Sequence, residues 1–282
     1  MKVGLVLEGG AMRGMYTAGV LDILMEANVN FDGIIGVSAG ALFGVNYLSK
    51  QKGRALRYNL RFLNDKRNVG VHSLLTTGDI VNKEFAYYTV PQKLDVFDDQ
   101  IYMASKIPYY AVVTNMETGQ AEYMQVKSVF EDMEILRASA SMPFVSQPVI
   151  LNNQKYLDGG VADSIPYQKF LDMGYDKLVV VLTRDLNYVK KPMSKQLISL
   201  FYSKYPRFKE QLFQRHNNYN QSILKLKELE AKGKVILIRP SQPIEIGRLE
   251  KNPKKIQQVY DLGLKDGRQI VERIKELNKI VV

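Results

Sequence analysis

The chain has 282 residues, of which 46% are hydrophobic and 24% charged, enough for a sizeable core and against disorder as its main state. It has no cysteine, which excludes disulfides and thiolate metal sites and fits a reducing compartment. The net charge of +10 is uneven: residues 1–185 carry 18 basic and 20 acidic side chains, residues 186–282 carry 21 and 9, so a polyanionic partner (phospholipid head groups or nucleic acid) or a solvated basic surface is expected.

From the start of the chain, the apolar run before Glu8 is about five residues, short of the roughly 7–15 of a signal peptide's hydrophobic region. No stretch reaches the roughly 18 apolar residues of a membrane span. A cytoplasmic protein is expected, at most peripheral to the inner face of the membrane. Residues 3–8 predict a short buried strand, followed by a glycine-rich turn from Gly9 to Gly14. Met15–Ala27 predicts a helix, with Val20, Leu21, Leu24 and Met25 at helical spacing. Ile34–Val37 predicts a second strand and Ala39–Leu48 a second helix. Strand–helix–strand–helix within fifty residues demands parallel strands with helical crossovers. Lys50, Arg54, Arg57 and Arg61 then recur at helical spacing opposite leucines, which predicts a basic amphipathic helix. Such a helix either packs its leucines on the core or docks on an anionic membrane. Asp98-Asp99 has no partner at metal-ligand spacing and reads as a solvated turn.

Further along, Tyr109–Thr114, Lys177–Thr183 and Val235–Arg239 predict strands, the last two nearly continuous apolar runs as expected of strands covered on both faces. Long helices are expected at about 194–232 and 253–280, and Asn187–Pro192 is a candidate linker. Residues 201–215 interleave Phe201, Tyr202, Tyr205, Phe208 and Phe213 with Lys204, Arg207, Lys209 and Arg215, which suits either a lipid interface or a packed helix pair. The expected fold is α/β, a three-layer α/β/α arrangement on a mainly parallel sheet. Residues 1–185 form its catalytic part, and the basic, mainly helical 186–282 packs on and completes the same core.

Three segments carry chemistry. Gly36-Val37-Ser38-Ala39-Gly40 is a G-x-S-x-G between a strand and a helix. It projects a serine hydroxyl from the sheet edge, with small flanks and a helix N-terminus behind it. Gly9-Gly10-Ala11-Met12-Arg13-Gly14 also follows a strand and opens a helix, so its amides can hold an oxyanion or a phosphate. It fits a dinucleotide turn poorly, because Ala11 stands where the second glycine is needed, and no Gly-Lys-Ser/Thr follows for a P-loop. Asp158-Gly159-Gly160 by itself reads as a turn.

Taken together, Glu8–Gly14, Gly36–Gly40 and Asp158–Gly160 resemble, in order and spacing, the three signatures of the patatin-like phospholipases. Ala138–Phe144 is similar to that family's small-residue segment ahead of a proline. The resemblance covers about residues 3–185 and, less distinctly, the tail. It implies a patatin-like fold, a Ser–Asp dyad of Ser38 as nucleophile and Asp158 as base, and an oxyanion hole of amides from Gly9, Gly10, Ala11 and Met12. Arg13 would lie close to a phosphate or shape the loop. Ala11 departs from the family's third glycine; it can still donate its N–H unless the position needs a positive φ. The implied activity is hydrolysis of carboxylic esters in phospholipids or lysophospholipids, with no cofactor and no metal, peripheral contact with an anionic membrane and no nucleic-acid partner. The rival assignments are a Ser38–Asp158–His216 triad of a short-chain esterase or thioesterase, Asp163 as the base, and a lipid-binding protein with little catalysis. His72 is expected in a solvated loop.

Overall fold

The computed structural model describes residues 1–279. Along the chain the elements are β1 (Val3–Leu7), α1 (Gly14–Glu26), β2 (Gly33–Val37), α2 (Ala39–Leu48), α3 (Arg54–Arg61), α4 (Val71–Thr77), a π-helical segment (Glu84–Leu94), α5 (Asp99–Ala104), β3 (Tyr109–Asn115), β4 (Ala121–Gln125), α6 (Met133–Ala140), β5 (Val149–Leu151), β6 (Gln154–Asp158), α7 (Tyr167–Asp172), β7 (Lys177–Val181), α8 (Lys195–Phe201), α9 (Pro206–Ala231), β8 (Val235–Ile238) and α10 (Pro253–Lys279). The strands form one sheet in the order β5-β6-β3-β2-β1-β7-β8, with β4 on β3. The pairings from β3 through β2, β1 and β7 to β8 are parallel, while β4, β5 and β6 pair antiparallel.

The period of two along each strand splits the core into two faces. Leu5 and Leu7 of β1 pack with Val179 and Val181 of β7 beneath α1, α2 and α10. Val6, Ile35 and Val180 point the other way, onto Phe170 of α7 and Tyr219 and Leu226 of α9. This gives the three expected layers, and Val235–Ile238 is the strand beside β7.

Three local readings are corrected. The helix expected over 194–232 is two helices, α8 and α9. Pro206 opens the second and disfavours helical backbone at Tyr205 before it. Of the helix expected at 253–280, residue 280 lies outside the described residues. The basic stripe is not one helix face: Gly53, at φ 73°, separates Lys50 from α3. Arg54 is buried, its Nε 3.2 Å from Asp95 Oδ1 and its guanidinium beside the Tyr58 and Phe97 rings, and Arg57 pairs with the same carboxylate at 2.8 Å. Arg54 is thus held inside the fold, and it shares one carboxylate with the half-exposed Arg57. Lastly, Asp98 and Asp99 are structural. Asp98 caps α5 through the Ile101 amide, and buried Asp99 accepts from Ser128 Oγ and the Val129 amide.

Candidate active site

The chain leaves β2 at Val37 and enters α2 at Ala39, and Ser38 makes the turn with φ 54° and ψ −122°. A non-glycine residue there is strained, by roughly 1–3 kcal/mol, and persists because its surroundings over-determine it. Gly40 lets the turn close. A Cβ on it would stand 2.6 Å from the Leu7 carbonyl oxygen and 2.8 Å from that of Glu8. The result aims the Ser38 hydroxyl at the end of β6, where Ser38 Oγ donates to Asp158 Oδ2 at 2.7 Å across 120 positions of sequence. The other carboxylate oxygen, Oδ1, accepts from the Gly160 amide at 2.7 Å. Both residues are nearly covered, with Ser38 7% and Asp158 6% exposed.

Burial pushes the Asp158 carboxyl above the ordinary aspartate range, against the lowering effects of the Arg215 guanidinium, the Ser38 hydroxyl and the Gly160 amide. Burial holds Arg215 below its usual value, and Asp158 raises it. Arg215 Nε donates to the Gly160 carbonyl at 2.5 Å, so α9 braces the turn that carries the aspartate. Sequence reasoning read Arg215 only as part of a basic, aromatic stretch suited to a lipid interface or a packed helix pair, and missed this contact. Asp163 is occupied elsewhere, accepting from Tyr123 Oη and the Ile165 amide. His72 is exposed, on α4 and not in a loop. His216 lines the same cavity as Ser38 and Asp158, but among the described residues it hydrogen-bonds neither, and its Nδ1 is buried without a partner.

The glycine-rich loop passes the serine with Gly9, Gly10, Ala11 and Arg13 lining that cavity. Among the described residues, no protein oxygen accepts from the amides of Gly10 and Ala11, whereas the Met12 amide reaches the Arg248 carbonyl at 3.4 Å. Ala11 has φ 49°, so the position where glycine was missed does require the left-handed region. Left-handed backbone costs alanine about 1–2 kcal/mol, partly offset by the lower entropy of its unfolded chain. Ala11→Gly should therefore stabilise the fold by about 0.5–1 kcal/mol in urea unfolding; a loss of stability would refute strain at this residue.

Ser38 stands between two hollows. One, of about 280 Å³, holds Asp158, Gly10, Arg13, Lys190 and Arg215. The other, of about 180 Å³, is walled by apolar side chains including Leu42, Phe43, Val90, Met133 and Leu136. Ala11, Ser38, Met142 and Arg248 line both. Among the described residues, no group of three or more potential ligands is placed to hold a metal ion.

The family model described as "Patatin-like phospholipase" matches residues 5–171, more than half the chain and every segment just described up to α7. The chain belongs to the patatin-like phospholipase family. A second model, described as a domain of unknown function, matches residues 205–279, the stretch that gives this patatin-like protein α9, β8 and α10. Among its relatives is the uncharacterised Escherichia coli K12 protein YjjU, 28% identical over 187 residues, 64% of this chain and 52% of that protein. Another is Lysophospholipase NTE1 of Cryptococcus neoformans, 25% identical over 303 residues, 99% of this chain. The chain spans about half the length of the first and 18% of the second. The crystal structure of VipD from Legionella pneumophila aligns with a TM-score of 0.48 and 14% identity, covering 96% of this chain and 67% of that one.

Proposed function

We propose that this patatin-like protein is a serine acyl hydrolase that cleaves the carboxylic esters of phospholipids or lysophospholipids through Ser38 and Asp158. The observation that carries the reading is the 2.7 Å hydrogen bond from Ser38 Oγ to a buried, proton-hungry carboxylate. A serine hydroxyl is a weak nucleophile until a base takes its proton, and a carboxylate becomes a better base when burial raises its pKa. Asp158 takes the Ser38 proton as Oγ attacks the ester carbonyl. The oxyanion sits against the free amides of Gly10 and Ala11, with the N-terminus of α2 behind Ser38. Asp158 then protonates the departing alcohol, leaving an acyl-serine. Water, deprotonated by the same carboxylate, attacks that acyl group and releases the fatty acid. The apolar hollow suits the acyl chain, since each buried methylene contributes about 0.8 kcal/mol.

Labelling with a serine-reactive fluorophosphonate and mapping the modified peptide tests the assignment: the adduct belongs on Ser38, and an adduct anywhere else refutes it. Fatty acid should leave a long-chain ester faster than an acetyl ester. Because His216 lines the cavity, a triad remains the competing arrangement; loss of turnover in His216→Ala would install it.

Peripheral contact with an anionic membrane belongs to the same reading. Leu197, Leu200 and Phe201 on α8 are 53%, 73% and 57% exposed, with Val189 of the cavity wall 66% exposed nearby in sequence. Among the described residues no helix is long and apolar enough to cross a membrane, so contact would be through such a surface together with the basic tail. Leu200→Glu should weaken co-sedimentation with phosphatidylglycerol vesicles about tenfold, since one buried leucine contributes roughly 1.5–3 kcal/mol; undiminished binding would remove α8 from the interface.

A further inference from the structure

The cavity on the Asp158 side of Ser38 has an unusual charge balance. Six cationic side chains line it: Arg13, Arg184, Lys190, Lys191, Arg215 and Arg248. They come from the glycine loop, the end of β7, the segment before α8, α9 and the loop before α10, so five separate stretches converge. Two carboxylates share the wall, Glu8 and Asp158, and both are already engaged. Glu8 accepts from the Thr183 amide at 2.6 Å, and Asp158 holds Ser38 and Gly160. Among the described residues, none of the six cations stands in an ion pair.

Arg215 Nε donates to the Gly160 carbonyl, while Arg13, Arg184 and Lys190 have contacts that leave room for a counter-ion. The Lys190 ammonium sits 3.9 Å from the Tyr219 ring centroid and the Arg184 guanidinium 4.1 Å from that of Tyr188. The Nε atoms of Arg13 and Arg184 are buried with no hydrogen-bond acceptor. Burial, then Arg215, pushes the Lys190 ammonium well below its usual value, and burial, then Arg184, lowers Arg13. Like charges gathered in a half-dry hollow repel strongly at short range, and the fold keeps them there. The Lys190 backbone is itself pinned, its N–H donating to Asn220 Oδ1 at 2.9 Å and its carbonyl accepting from Asn220 Nδ2 at 3.1 Å.

A ligand that discharges this cluster must bring more than one negative charge and several acceptor oxygens. A terminal phosphate does so, with charge near two and three strong acceptors. A choline or ethanolamine head group would instead bring a cation of its own into a cavity already lined by six. Resting on the hydrolase reading above, we propose that this cavity binds the phosphate-monoester head group of a lipid, so that the enzyme selects lipids ending in phosphate over those whose phosphate is capped by an amine. The segment matched only as a domain of unknown function thereby supplies the head-group end of the site, through Arg215 and Arg248.

The test separates binding from turnover. Ser38→Ala protein is titrated calorimetrically with dihexanoyl phosphatidic acid, dihexanoyl phosphatidylcholine and inorganic phosphate. Phosphatidic acid should bind at least about tenfold more tightly than phosphatidylcholine, as charge-assisted hydrogen bonds to phosphate require. Adding Lys190→Gln or Arg184→Gln should each remove most of that preference in protein whose melting temperature is retained. Equal or tighter binding of phosphatidylcholine overturns the proposal, as does a preference that survives both substitutions. Inorganic phosphate binding as tightly as phosphatidic acid also overturns it, because the site would then serve the free ion and not a lipid. Fluorophosphonate labelling of wild type reports on the hydrolase reading alone, so failure of either idea is seen separately.

Discussion

Ser38→Ala should lower ester turnover by about 10⁴-fold or more, a loss of roughly 5 kcal/mol of transition-state stabilisation. The size follows from what the hydroxyl does in the proposed reaction, since no acyl-enzyme forms without it. Residual turnover would come from binding and the free amides near Ala11, which still polarise a carbonyl toward attack by water. The fold should survive, because the strain at φ 54° belongs to the backbone and alanine inherits it with one polar atom fewer to bury. Steady-state hydrolysis of a p-nitrophenyl ester and of a lysophospholipid, with the melting temperature as control, measures the effect. A folded Ser38→Ala protein with more than a tenth of wild-type activity would end the serine mechanism.

Asp158→Asn should also cost about 10³–10⁴-fold in kcat/KM, and it carries a second signature. The carboxyl is raised above the ordinary aspartate range by burial, while in the unfolded chain it titrates at about pH 4. Between those two values the folded protein keeps a proton that the unfolded chain has released. Wild type therefore loses stability as pH rises through this window and levels off above it. Asparagine has no such proton, so the stability of the variant relative to wild type should climb from about pH 4 upward and be largest at neutral pH. In wild type the acid limb of kcat/KM should mark the same raised pKa, with activity falling as Asp158 becomes protonated. Arg215→Gln should move that limb higher still, because Arg215 is the strongest of the influences that lower it. A variant with flat relative stability across the window, or a limb unmoved by Arg215→Gln, would show that Asp158 is not the titrating base.

The parts of this site that can be read in the sequence are those where one short segment must adopt a demanding backbone. Gly40 is glycine because the Leu7 and Glu8 carbonyls leave no room for a Cβ. Such constraints write themselves into local spacing, as do the alternating strands and helices of the first fifty residues. The cations are different. Lys190, Arg215 and Arg248 meet only because the fold brings the segment before α8, α9 and the loop before α10 to one cavity, and nothing local distinguishes them from solvated charges. Arg54 misled for the same reason, since its partner Asp95 is 41 residues away. The break before α9 is written in Pro206, which stands inside the single helix expected over 194–232. Ala11 marks a finer limit: the residue type argued against a left-handed backbone, and the positive φ shows that the loop keeps glycine's geometry without glycine.

The sheet order also governs how the molecule is made. β1 is synthesised before the other strands of the sheet yet lies between β2 and β7, so one of its edges waits for some 170 further residues to be synthesised. α1 waits longer, because Gly19 packs against the backbone of α10 at Gly263 and Leu264. Until β7 and α10 emerge, the nascent polypeptide presents an unpaired strand edge and an uncovered apolar helix face, two features prone to aggregation. Fragments ending near residue 185 should accordingly require chaperones or form inclusion bodies on expression, even though they retain every signature of the family.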